Sequence, residues 1–120
     1  MSERIYPIFH NGKKIYFSDW TNLKTSEQAL KVMNETSDFV VKSGQKDLLE
    51  IIDVKGSYAT SETLKSLKEI NNKVKKYSKK KAFVGLTNAQ RIILNTINLF
   101  SGTNIVGFDD IESAKDWLVK

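Results

Sequence analysis

No cysteine occurs in the 120-residue chain. Disulfides, thiolate metal sites and cysteine nucleophiles are thereby excluded, and stability has to come from a packed core. The one histidine, His10, precedes a turn signal with no recognisable partner, which reads as a surface side chain rather than a catalytic base. Proline occurs once, at Pro7, and arginine twice, at Arg4 and Arg91. No apolar run approaches the roughly 20 residues of a membrane-spanning helix. The start, Met1-Ser2-Glu3-Arg4, lacks the basic-then-apolar pattern of a signal peptide. The expectation is a soluble, cytoplasmic protein, not membrane-spanning, folded as one domain over residues 1–120.

What is abundant is lysine. The formal net charge is +5 and the pI about 9.4, and the excess gathers at Lys73, Lys75, Lys76, Lys79, Lys80 and Lys81. These six read as a helix end and its exit, where cations complement the last unpaired carbonyls. With arginine scarce and no aromatic stacking row beside the cluster, nucleic acid is disfavoured as a partner.

The chain opens with alternating segments around Asn11-Gly12, a strong two-residue hairpin signal because both residues tolerate positive φ. Pairing His10 with Lys13 places Ile8 opposite Ile15 and Tyr6 opposite Phe17, a coherent apolar face. Pro7 lacks an amide hydrogen, so the first strand is expected at an edge. From Leu48 to Leu118, short apolar runs then alternate with helix-patterned segments. Leu48 to Val54, Ala82 to Leu86 and Ile105 to Phe108 read as strands whose near-continuous hydrophobicity implies burial on both faces. Strand–helix–strand order implies parallel neighbours.

Four helices are expected. The first opens at Thr25-Ser26-Glu27-Gln28, a capping box, and stops at Ser43-Gly44. The second begins at Thr60 or Ser61 and carries Leu64, Leu67, Ile70, Val74 and Tyr77 on one stripe. The third runs from Thr87-Asn88-Ala89-Gln90 to Ser101-Gly102, and Asp109 or Asp110 caps the fourth. The third helix is apolar over most of its circumference, with Leu94 outside the stripe that one sheet contact would bury. Ile93, Leu94, Ile97 and Phe100 are therefore candidates for an apolar ligand cavity or a partner surface, and a homodimer through this helix is compatible with the pattern.

Asp53 near the end of the central strand, and Asp19, are expected at the rim of the sheet, and Glu50 interrupts a buried run. A pair of carboxylates beside a hydroxyl would suit hydrolysis or a divalent metal, but no paired constellation stands out. No catalytic residue, cofactor or metal site is therefore expected, and the chain reads as a non-enzyme.

Several segments together resemble one family. These are Ala-Phe-Val-Gly-Leu-Thr from Ala82, Leu-Phe-Ser-Gly from Leu99, Gly-Phe-Asp-Asp-Ile-Glu-Ser-Ala-Lys-Asp-Trp-Leu from Gly107, Ile-Ile-Asp-Val-Lys-Gly from Ile51, and Asp19-Trp20-Thr21-Asn22-Leu23. They resemble the STAS/SEC14-like family, the group that includes the anti-sigma-factor antagonists, and in particular its small uncharacterised members. The resemblance implies an α/β fold in β-β-α-β-α-β-α-β-α order, with a mixed, mainly parallel sheet, an N-terminal hairpin and four helices. It also implies a regulatory, protein-binding module whose partner is a regulator or kinase. In anti-sigma-factor antagonists a serine or threonine at the start of the helix after the central strand is phosphorylated. Here that region, Lys55 to Thr63, offers Ser57, Thr60, Ser61 and Thr63, the first three being the candidates for the phosphoacceptor or interaction loop, without the aspartate that precedes the phosphoacceptor in the antagonists. The SEC14-like relatives imply the alternative, a carrier or sensor of a small apolar, lipid-like ligand.

Overall fold

The computed structural model describes residues 4–120. Asn11 and Gly12 both take positive φ, 50° and 79°, and close a hairpin between β1 (Ile5–His10) and β2 (Lys13–Asp19). Its register pairs His10 with Lys13, Ile8 with Ile15 and Tyr6 with Phe17, as the alternation predicts. Three further strands, β3 (Leu48–Asp53), β4 (Ser78–Val84) and β5 (Val106–Phe108), complete a sheet in the order β1-β2-β3-β4-β5. Only β1 and β2 are antiparallel; β2 to β5 run parallel. Pro7 thus lies on an edge strand, where its missing N–H breaks no inner ladder.

Helices α1 (Ser26–Ser43), α2 (Ser61–Val74), α3 (Asn88–Ser101) and α4 (Ile111–Leu118) supply the crossovers and the end of the chain. Thr87 and Gln90 form the expected reciprocal cap, and Asp110 caps α4. Thr25 caps α1, but Gln28 reaches the amide of Lys24, one residue earlier than a full box requires. Thr60 caps α2, with Thr63 completing a box that the serine and threonine run had concealed. That helix ends at Val74, and Lys75–Tyr77 tighten into a 3-10 turn rather than continuing the stripe to Tyr77.

Successive side chains of β3 and β4 point to opposite faces. Ile52 and Phe83 pack with Val32 and Met33 of α1, Leu94 of α3 and the half-buried Leu67 and Ile70 of α2. Ile51, Ala82 and Val84 pack on the other side with Ile15, Phe17, Ala114 and Leu118, so α4 alone covers that face. Burial on both sides explains why the central strands read as continuous apolar runs.

Two expectations are corrected. Lys79, Lys80 and Lys81 lie in β4, not at a helix exit, because the chain turns into the sheet at Ser78. Lys81 consequently stands beside Glu50 on the neighbouring strand, and both point into the layer under the helices, with Nζ 3.8 Å from Oε2. Leu94 was expected outside the buried stripe of α3, yet it is 4% exposed. The inward stripe is Gln90, Leu94, Ile97 and Ser101, spaced at three and four residues. It leaves Ile92, Leu99 and Phe100 outside, at 68%, 86% and 64% exposure.

Candidate functional site

Open α/β sheets generally bind their ligands beyond the carboxyl ends of parallel strands. Here that rim is a set of loops stitched to one another by backbone bonds. Trp20 donates to the Asp53 carbonyl (2.8 Å), Asn22 to that of Lys55 (3.1 Å) and Val54 to that of Val84 (3.0 Å). Gly85, at φ 84°, brings the loop after β4 against Lys55 so closely that a Cβ there would stand 3.0 Å from the Lys55 Cβ. Only glycine accepts both that conformation and that approach.

Ser57 is the clasp of this rim. Its hydroxyl donates to the Trp20 carbonyl and accepts from the Leu23 amide (2.8 Å), while its own carbonyl accepts from the Gln90 side chain (3.2 Å). One residue therefore ties together the loop after β2, the loop after β3 and the start of α3. Next to it the Tyr58 amide donates to Leu23, which leaves the ring exposed beneath Lys24, whose Nζ lies 4.5 Å from the ring centre. Thr60 caps α2 and its hydroxyl meets that of Ser26 at 3.0 Å, joining the starts of α1 and α2. Ser61 differs: it is exposed at the first position of α2 and makes no side-chain hydrogen bond.

Beneath this loop lies a cavity of about 70 Å³ between α1, α2, α3 and the sheet. Trp20, Met33 and Val54 form its inner wall, Leu64 and Leu67 one flank, and Ile93, Leu94 and Ile97 the other. Among the described residues, no charged one lines it; Ser57, Thr63 and Gln90 supply the polar atoms near the mouth. Trp20 is held by a hydrogen bond from Nε1 to Thr36 Oγ1 (3.0 Å) and by an edge contact with Phe83 at 6.1 Å. A wall fixed in this way keeps its shape when the cavity is empty.

The structure thus brings Ile93, Leu94 and Ile97 together on one cavity wall and leaves Phe100 out of it, on the surface with Lys68 Nζ 5.7 Å from its ring centre. Asp19 and Asp53 are cross-strand partners at the rim, on the sheet face that looks toward α4 and away from the cavity. Each is engaged by its own turn: Asp19 accepts from the Thr21 amide (2.9 Å) and hydroxyl (2.6 Å), and Asp53 from the Lys55 amide (3.1 Å). Arg4 adds an ion pair to Asp19 at 3.7 Å. Among the described residues, no three histidine, cysteine, aspartate or glutamate side chains gather as metal ligands would. His10, read from the sequence as partnerless, has Nε2 2.8 Å from Asp116 Oδ1 and ties the hairpin to α4, far along the chain.

Sequence reasoning named Thr63 only as a hydroxyl of the loop and Gln90 only as part of a helix cap, and it missed Tyr58 and the Trp20–Thr36 bond. Thr63, three residues after the Thr60 cap, carried a readable signal, because a hydroxyl there can return the capping bond. The others depend on which loops meet, and no local pattern records that.

A solved structure matches this fold. It is an uncharacterised protein of the DUF3478 family from Shewanella loihica PV-4, described as having a SpoIIAA-like fold. The two superpose with a TM-score of 0.71 over 95% of this chain and 91% of that one, at 16% sequence identity. The fold is SpoIIAA-like. No family model and no curated protein matches the sequence. As a SpoIIAA-like chain it has the architecture the resemblance implies, with the loop from Lys55 to Thr60 at the rim and the parallel strands leading to it. Among the described residues, no helix is long and apolar enough to cross a membrane.

Proposed function

We propose that this protein is a non-enzymatic, regulatory protein-interaction module that recognises a partner at the rim formed by Lys55 to Thr63, α2 and α3. One observation carries the reading: a charge-free cavity of about 70 Å³ opens beside exposed Tyr58 at the place where this fold presents its loops. An engineered apolar cavity of about 150 Å³ holds a benzene molecule. The smaller space here suits an aliphatic side chain presented by a partner, and an intact lipid is far too large for it. Tyr58 beside it has the rigid, amphipathic surface that contributes most at interface centres.

Phosphorylation is the switch that the SpoIIAA-like resemblance suggests, and of the hydroxyls of this loop Ser61 suits it best, Thr63 being buried. Ser57 is committed on both sides, and Thr60 caps α2 while its hydroxyl meets that of Ser26 at the start of α1. A phosphate on Ser61 would meet the free amides and positive dipole end of α2 while adding negative charge beside the recognition loop.

The test is affinity capture from a lysate of the source cell with the intact protein, a Tyr58→Glu variant and a Ser61→Glu variant, each checked for an unchanged circular dichroism spectrum. Proteins retained by the unaltered chain and lost from both variants support the reading. Capture of the same set by all three overturns it. The second reading, carriage of a small apolar ligand, rests on the same apolar lining. Native mass spectrometry of the purified protein decides between them, since a bound small molecule of fixed mass favours the carrier.

A further inference from the structure

The amino ends of the parallel strands, about 20 Å from the rim across the length of β4, carry a second concavity. It is a basin of about 430 Å³ between the end of α2, the start of β4 and the segment before β5. Lys75, Lys79, Lys80 and Lys81 line it, together with Asn71 and Ser78, and among the described residues no aspartate or glutamate does. A smaller basin of about 270 Å³ adjoins it through Lys79 and adds Lys13, Lys14 and Lys120 against Asp47. Seven lysines and one aspartate line the two, a local surplus larger than the whole chain's net charge of +5. The rest of the molecule is therefore close to neutral, and its positive field originates at this end.

Part of this cluster serves the fold. Lys75 donates to the last carbonyl of α3, at Ser101 (2.8 Å), and Lys80 to the carbonyls of Trp117 (3.0 Å) and Lys120 (3.3 Å). Those bonds use one and two of the three N–H groups of each ammonium. Lys79 makes no hydrogen bond or ion pair. Two further observations point to an occupant. Lys81 borders this basin although it is more than nine-tenths buried, and its counter-charge Glu50 lies 3.8 Å away, beyond hydrogen-bond range. Ser78 also borders the basin, and its hydroxyl is buried without a hydrogen-bond partner among the described residues. Native proteins rarely leave a buried hydroxyl unsatisfied.

We propose that this basin binds a phosphorylated small molecule. A phosphate group offers several acceptors on one compact, doubly charged centre, which matches converging lysine point charges with a hydroxyl donor among them. The volume lies within the range of small-molecule sites. The concave shape disfavours a flat membrane. A single-stranded nucleic acid would need free aromatic faces, whereas the Trp117 ring is already flanked by Lys80 at 5.0 Å and Phe108 at 5.5 Å.

The experiment is an amide NMR titration of the full chain in 150 mM salt with glucose 6-phosphate and, separately, with inorganic pyrophosphate. Both are expected to shift the amides of Ser78, Lys79 and Gly102 to Asn104 saturably. Lys79→Glu is expected to weaken both at least tenfold, while Lys31→Glu, on exposed α1 and lining neither basin, changes them less than twofold. Absence of saturable shifts at 10 mM ligand overturns the proposal, as does equal weakening by both variants. Pyrophosphate binding without sugar phosphate binding also overturns it, because the basin would then be an inorganic anion site only. A short oligonucleotide that displaces the sugar phosphate at tenfold lower concentration would reassign the surface to nucleic acid. Because this basin and the rim share no lining residue, failure here leaves the rim reading standing, and the reverse.

Discussion

Removing the Glu50 carboxylate alone, as Glu50→Leu, is expected to destabilise the protein sharply, whereas removing Lys81 with it, as Glu50→Leu/Lys81→Met, is not. The two side chains are 6% and 9% exposed, and the Oε2 atom of Glu50 has no hydrogen-bond partner. At a separation near 4 Å and an effective dielectric constant of about 20, their attraction is of order 4 kcal/mol. Desolvating two ions costs several kcal/mol each, so a pair this long, with one oxygen unsatisfied, gains little over two apolar side chains. Breaking it is another matter, because the remaining charge stays buried alone. The single substitution should cost about 3–5 kcal/mol. At about 4 °C per kcal/mol for a chain of this size, its midpoint should fall by about 12 °C or more. The double substitution should fall within about 1 kcal/mol of the original protein or exceed it. Urea unfolding of all four members of the cycle, followed by tryptophan fluorescence, measures each term. If the single variants lose less than about 0.5 kcal/mol, or if the double variant loses the sum of both, the pair is not the isolated buried contact described above.

Other outcomes follow from the same packing. Leu94→Ala should cost about 2–5 kcal/mol by removing a buried side chain and enlarging the cavity it lines, while Leu99→Ala, on the exposed side of the same helix, should change stability by less than about 0.5 kcal/mol; chemical denaturation distinguishes them. Ser57→Ala strips a bond from the Leu23 amide and another from the Trp20 carbonyl, so hydrogen exchange at Leu23 and Tyr58 should quicken and stability fall by about 1–3 kcal/mol. Asp110 accepts from the Ser113 amide, and secondly from its hydroxyl, which holds its carboxyl below the ordinary value of 3.8. A depressed folded value contributes stability that is present above the unfolded value and lost as the pH falls through the folded one. Carbon-detected NMR should therefore place the Asp110 midpoint below 3.8 and show α4 fraying only in acid beneath it.

Much of the fold was legible because it is written locally. The Asn11-Gly12 turn set the hairpin register to the residue, the Thr87–Gln90 pair and Gly102 bounded α3, and continuous apolar runs marked the strands buried on both faces. Legibility failed where long-range partners decide the outcome. Lysines after a helix read as its solvated end, yet Lys81 turns inward because Glu50 waits on the adjacent strand. Leu94 read as a stray residue because the broad apolar pattern of α3 let two stripes compete, and the structure buries the one with Leu94, Ile97 and Ser101. At the rim, the hydroxyl-rich segment was visible, but Ser57, Thr60 and Ser61 are interchangeable in sequence. The meeting of three loops assigns the first to a clasp, while the local bonds between Thr60 and Thr63 choose Thr60 over Ser61 as the cap.

The most direct test of the cavity at the rim is methyl NMR of the protein under xenon, an apolar probe small enough to enter it. The account predicts saturable shifts at Leu64, Ile93, Leu94 and Ile97, with the methyls of Ile15 and Leu118 on the opposite sheet face unmoved. Shifts absent at the first four, or equal on both faces, would contradict it.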